Sequence, residues 1–125
     1  MNLDYVINGY DSNTCDLWEE IRSTDFFWNR VTMKYSMELG AAFATTMGDS
    51  STAQVYSSTA SKISSKLYSG HWNDAGFIFE DVSRTKDSAV IVGLNSGYNE
   101  DTDADSKCFS ITYSLSVDVL STPKF

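Results

Sequence analysis

The chain has 125 residues, enough for one small domain and one modest core. A net charge of −8 argues against nucleic acid or an anionic membrane surface as partner. No run approaches the roughly 20 apolar residues that a membrane span requires.

Aromatic residues are plentiful, with seven Phe, seven Tyr and three Trp, and Pro123 is the only proline. The opening Met1-Asn2-Leu3-Asp4-Tyr5 has no basic stretch followed by an apolar one, so it does not read as a signal peptide. Cys15 and Cys108 are far apart in the chain. Geometry decides pairing, so two free thiols are the default expectation.

Leu3, Val6, Ile7 and Tyr10 have helical spacing over two turns, and Gly9 followed by Asp11-Ser12-Asn13-Thr14 ends that helix with turn chemistry. Residues 16–23 follow as a connector. From Asp25 the pattern is strongly helical: Phe27, Val31, Tyr35, Leu39, Phe43 and Met47 recur every fourth residue. Ser23, Thr24 or Asp25 is available as N-cap, and Gly48 stands just past the end. With charge confined to Arg30, Lys34 and Glu38, this helix is expected to be buried on most of its circumference.

A second helix is predicted from about Thr52 to Tyr68, with Ser51 and Gln54 at capping-box spacing. Tyr56, Ala60, Ile63 and Leu67 form its apolar stripe, opposite Ser57, Ser58, Ser61, Lys62 and Ser65. It reads as a peripheral helix, antiparallel to the one before it because the connection at residues 48–51 is short. Residues 70–85 look irregular, with Phe77-Ile78-Phe79 as an apolar patch. The run of residues 88–95 fits a short helix or a buried strand equally well. An acidic loop at residues 97–107 precedes Phe109, Ile111, Tyr113, Leu115, Val117 and Val119, whose alternation with polar residues is that of a strand.

Few constellations here carry chemistry. Asp101-Thr102-Asp103-Ala104-Asp105 begins like a calcium loop, but Ser106 and Thr112 stand where Gly and Glu are needed. His71 is the only histidine, which leaves no multi-histidine metal site, and His71-Trp72 reads as a loop-packing pair. Nucleophile elbows, phosphate loops and Cys-x-x-Cys are absent, and no cofactor or metal is expected. What remains is Asp16-Leu17-Trp18-Glu19-Glu20, two adjacent carboxylates beside an indole. A carboxyl that donates a proton near neutral pH needs surroundings that disfavour its charged form, and an aromatic wall with a second negative charge provides them. One carboxylic acid protonating a leaving oxygen, with an aromatic ring stacked on a sugar, suits glycosidic bond cleavage. The competing reading is a solvated turn at a helix start.

Asp16-Leu17-Trp18-Glu19-Glu20-Ile21, followed by Phe26-Phe27, resembles the general-acid segment of fungal glucoamylases, glycoside hydrolase family 15. Leu39-Gly40-Ala41-Ala42-Phe43-Ala44, Gly48-Asp49-Ser50-Ser51, Tyr56-Ser57-Ser58-Thr59-Ala60 and the stretch from Lys86-Asp87-Ser88 to Val92 resemble later parts of the same family, in the same order. The resemblance implies a mostly α fold, part of an (α/α)6 barrel whose active-site loops lead into inner helices. It implies Glu19 as general acid, Glu20 and Asp16 as neighbouring carboxylates that shape its pKa and bind sugar hydroxyls, and Trp18 bordering the substrate. The implied activity is glucan 1,4-α-glucosidase: exo-acting, inverting release of β-glucose from a starch-like α-glucan or maltooligosaccharide. An extracellular or vacuolar location would suit the family.

Inversion needs a second carboxyl about 6.5–9.5 Å from the first. In the family that base is a Glu far downstream, beyond Phe125, so residues 1–125 are expected to be an interior fragment of the catalytic domain. The resemblance also implies that a helix begins near Ser116, against the strand-like alternation there. The alternatives are an inactive truncated glucoamylase-like protein, or a weak glucan-binding remnant using Trp18 and Glu20.

Overall fold

A computed structural model describes residues 3–73, 77–84 and 86–96. The acidic loop, the alternating segment after it and Cys108 lie outside the described residues; Cys15 carries a free thiol. Among the described residues four helices and two short ribbons follow in the order α1 (Leu3–Gly9), β1 (Thr14–Cys15), β2 (Arg22–Ser23), α2 (Phe27–Thr46), α3 (Ser50–Gly70), β3 (Trp72–Asn73), β4 (Phe77–Ile78) and α4 (Ser88–Ser96). Residues 88–95, ambiguous by pattern, are helical.

The α2–α3 hairpin is the scaffold. Its turn is a Schellman motif: the Gly48 N–H reaches Thr45 O at 3.0 Å and the Asp49 N–H reaches Ala44 O at 2.9 Å. Gly48 supplies the positive φ of 78° that the motif requires. Asp49, rather than the expected Ser51, then caps α3. Its carboxylate accepts from the Thr52 N–H at 3.0 Å and from the Thr52 and Ser51 hydroxyls. Those bonds hold the Asp49 carboxyl below the usual range.

Two apolar clusters glue the elements together. Val6, Met37, Ala60 and Ile63 are buried with Leu3, Ile7, Tyr10, Met33 and Tyr56 around them, which seats α1 on the hairpin. Phe27, Ile78 and Val90, with Val31, Leu67 and Leu94, join the start of α2 to β4, α3 and α4. The α3 stripe expected from the sequence is therefore the one that is used.

The reading of α2 as buried nearly all round is corrected. Leu39 is 66% exposed, Phe43 68% and Met47 68%. A four-residue repeat advances about 40° around a helix of 3.6 residues per turn, so the series spirals. It starts in the core at Phe27 and ends on the surface at Met47. The side that packs instead carries Arg30, Met37, Gly40, Ala41 and Ala44.

The start of α2 also differs from expectation. Its N-cap is Phe26, which offers no side-chain cap. A distant residue supplies the acceptors: Glu80 O takes the Phe27 N–H at 2.9 Å, and the Glu80 carboxyl oxygens lie 3.2 and 3.3 Å from the Trp28 nitrogen. Ser23 and Asp25 are engaged elsewhere. The Ser23 hydroxyl donates to Asp81 at 2.7 Å, and Asp25 accepts from Arg30 and contacts His71 Nε2. His71 is buried between Phe27 and Phe79, with Nδ1 3.0 Å from Phe79 O, while Trp72 stays half exposed.

Candidate active site

The connector at residues 16–21 is the loop of a β-hairpin. Thr14 pairs with Ser23 and Cys15 with Arg22, antiparallel. Asn29 on α2 fastens the hairpin by donating to Thr14 Oγ1 at 2.6 Å and to Cys15 O at 2.8 Å. The Ser23–Asp81 bond fastens its other strand to the turn after β4.

Asp16 folds the loop. Its N–H donates to Ile21 O at 3.1 Å and its carbonyl accepts from the Glu19 N–H at 3.1 Å. Its Oδ1 accepts from the Glu20 N–H at 2.8 Å and the Ile21 N–H at 3.2 Å, and its Oδ2 lies 2.7 Å from Arg84. The side chain is buried with both oxygens committed. Both Asp16 oxygens are thus engaged within the chain, where they shape the loop.

Glu19 lies at the outer end of this loop. It is the one non-glycine among the described residues with positive φ, at 58°. The left-handed conformation costs a non-glycine residue about 1–2 kcal/mol. The Asp16 bonds on either side hold the chain in it. The Glu19 side chain is exposed, and no described residue hydrogen-bonds its carboxyl. Trp18, 48% exposed, flanks it, with its indole N–H donating to Asp87 Oδ1 at 3.2 Å.

Three residues at the site went unread in the sequence. Arg84 reaches Asp16, Glu20 at 2.6 Å and Asp87 at 3.4 Å. The hydrogen bond to Glu20 above all, against some desolvation, holds its guanidinium more firmly protonated. Asp87 caps α4 through the Ala89 N–H at 2.8 Å. Burial works to raise its pKa, but the bonds from Ala89 and Trp18 and the charge of Arg84 outweigh that and lower it. Glu80 lies fully buried behind the loop. Burial first, then the charges of Asp87, Asp16 and Asp81, push its pKa up to about 7, opposed by the Trp28 N–H. Only Asp87 carried a local signal, an Asp directly before an apolar run as a cap. Contacts such as Arg84 to Glu20, 64 residues apart, leave no trace in local pattern.

A long helix hairpin with the shorter α1 and α4 packed on it, and a loop leading into the first helix of the pair, is the architecture of a piece of an (α/α)6 barrel. The solved structure of a glucoamylase from Saccharomycopsis fibuligera superposes with a TM-score of 0.75 over 90% of this chain and 26% of its own, at 24% identity. That likeness establishes the fold. The family model "Glycosyl hydrolases family 15" matches residues 1–124. This chain belongs to glycosyl hydrolase family 15. Among curated relatives it is 46% identical to glucoamylase 1 of Rhizopus oryzae over 68 residues, which are 54% of this chain and 11% of the relative. It is 32% identical to a glucoamylase of Blastobotrys adeninivorans over 108 residues, 80% of this chain and 17% of the relative. A Saccharomycopsis fibuligera glucoamylase is 36% identical over 98 residues, 76% of this chain and 18% of the relative. The chain thus spans between about a tenth and a fifth of the length of these relatives.

Proposed function

We propose that residues 1–125 act as the general-acid segment of an inverting, exo-acting glucan 1,4-α-glucosidase. In this reading Glu19 donates a proton to the glycosidic oxygen of a starch-like α-glucan, Trp18 lies against a sugar ring, and Glu20 accepts from a sugar hydroxyl. The observation that carries it is the backbone of Glu19. An exposed carboxyl is held in a strained left-handed conformation by a loop in which Asp16 bonds the Glu19, Glu20 and Ile21 N–H groups. A merely solvated turn has no need of that strain, which a Gly or Asn would relieve.

The chemistry follows from the geometry of inversion. An acid on one side of the bond protonates the departing oxygen while a base about 6.5–9.5 Å away activates water on the other. The segment supplies the acid; in this reading the base belongs to another part of a family 15 catalytic domain, of which these residues form an interior piece. Glucose release from soluble starch is the assay. The host is the Saccharomycopsis fibuligera glucoamylase with residues 1–125 in place of its matching segment. The exchanged enzyme is expected to release glucose and its Glu19→Gln variant to lose that release. Full release by Glu19→Gln would refute the assignment.

A second reading has its own support. Leu39, Phe43 and Met47 expose an apolar strip on the 125-residue chain, the surface expected of a piece lacking its neighbours. On that reading the isolated chain binds glucan weakly through Trp18 and Glu20 and turns over nothing. Absence of glucose release by the segment-exchanged glucoamylase, with maltooligosaccharide still bound by the purified chain, would favour this second reading over the first.

A further inference from the structure

One cation holds together every acidic group of the loop except Glu19. The Arg84 guanidinium spans Asp16 on Nη1 at 2.7 Å and Glu20 on Nη2 at 2.6 Å, and reaches Asp87, the acceptor of the Trp18 indole, at 3.4 Å. Its own backbone is fixed. The Arg84 N–H donates to Asp81 O at 2.9 Å, and Arg84 O accepts from the Glu80 and Asp81 N–H groups. Those two residues are in turn bound to the start of α2 and to β2 through the Trp28 and Ser23 contacts. The chain of contacts from α2 to the tip of the loop is therefore continuous and passes through Arg84.

Isolated exposed ion pairs contribute little, but a fork-shaped cation satisfying several carboxylates at once fixes direction as well as charge. Asp16 is buried here, so one end of the fork cannot drift. Glu20 is exposed, so without the other end nothing among the described residues would restrain its side chain. The Trp18 indole is held at one remove, through Asp87.

We propose that Arg84 is the positioning residue of this site: its guanidinium, by clamping Glu20 and Asp87 to buried Asp16, sets where Trp18 and the Glu19 carboxyl meet a substrate. The role rests on the reading of Glu19 as acid, and the test separates the two. In the 125-residue chain, hydrogen exchange reads the loop directly. Arg84→Ala is expected to release the Glu20 and Ile21 amides, while the Trp28 amide, held by Glu80, stays protected. Unchanged protection of Glu20 and Ile21 overturns the proposal. In the segment-exchanged glucoamylase, Arg84→Ala is expected to lower kcat on maltose, per folded molecule, on the order of 10²-fold, the size of effect a displaced acid produces. Arg84→Lys, which reaches one carboxylate but not three, restores part of the loss. Full kcat in Arg84→Ala alongside a dead Glu19→Gln would overturn the positioning role and leave the acid standing. Full kcat in Glu19→Gln would instead overturn the acid assignment itself.

Discussion

The buried Asp16 carboxylate lies 2.8 Å from the backbone nitrogen of Glu20, so the loop that displays two acids is folded around a third. Replacing Asp16 by Ala leaves two backbone N–H groups and one face of Arg84 without an acceptor. Each unsatisfied buried group costs about 1–3 kcal/mol, so a loss of about 2–4 kcal/mol is expected in denaturant unfolding. Asp16→Asn keeps the acceptor oxygen and loses only the charge, so it should cost less than half as much. Equal losses would mean that the ion pair, not the loop hydrogen bonding, dominates.

Glu80 gives the chain a stability that declines towards neutral pH. Its pKa is raised from 4.5 to about 7, so the folded chain holds a proton there that the unfolded chain has released. Below pH 4.5 this contribution is fully present; it is lost as pH rises through about 7, with a slope of up to about 1.4 kcal/mol per pH unit. Asp81 and Asp87 act in the opposite sense. Burial opposes them, yet hydrogen bonds win and lower both pKa values, so their contribution is lost as pH falls below the ordinary Asp value of 3.8. Thermal unfolding followed from pH 3 to pH 8 should show a maximum at mildly acidic pH. Glu80→Gln keeps a neutral acceptor for the Trp28 N–H and should flatten the decline between pH 4.5 and 7. A Gln variant with the parent's slope would contradict the assignment to Glu80.

The strain at Glu19 has a measurable sign. A glycine normally weakens a site by enlarging the freedom of the unfolded chain, but at φ 58° it also relieves the left-handed penalty. Glu19→Gly is therefore expected to leave folding stability unchanged or to raise it by up to about 1 kcal/mol, while glucan hydrolysis in the segment-exchanged enzyme is lost. A clear loss of stability in urea titration would show that the loop is not strained.

The strip of Leu39, Phe43 and Met47 on α2 makes a prediction for the isolated chain. Unpartnered apolar surface drives association, so the purified protein should self-associate in sedimentation velocity with increasing concentration. Leu39→Gln with Phe43→Gln should reduce that association with no loss of helical circular dichroism, because neither side chain lies in the two core clusters. A parent that stays monomeric throughout would mean that the strip is not a contact surface.

Much of the scaffold was legible because it is local. The Tyr56, Ala60, Ile63, Leu67 stripe, the Gly48 turn and the Leu3, Val6, Ile7, Tyr10 face are set by spacing, and each packs as its spacing predicts. The misplaced cap and the unread clamp share one cause. The start of α2 is capped by Glu80, more than 50 residues away, and the loop is clamped by Arg84, so the nearby Ser23 and Asp25 were credited with a role that a distant residue plays. For Asp16 the sequence shows that a carboxylate is present, not which groups its oxygens bond. The every-fourth-residue series on α2 misled for a geometric reason: its drift around the helix takes it from core to surface.

The central claim is that Glu19 gives a proton to a leaving oxygen, and comparison of two substrates tests it most directly. The glucose that leaves maltose would depart as an alkoxide and needs a proton, whereas the fluoride of α-glucosyl fluoride departs without one. In the segment-exchanged glucoamylase, Glu19→Gln is expected to lose on the order of 10²–10⁴-fold in kcat/KM on maltose and to keep most of its turnover of α-glucosyl fluoride. Equal losses on both substrates, or no loss on maltose, would contradict the role of Glu19 as general acid.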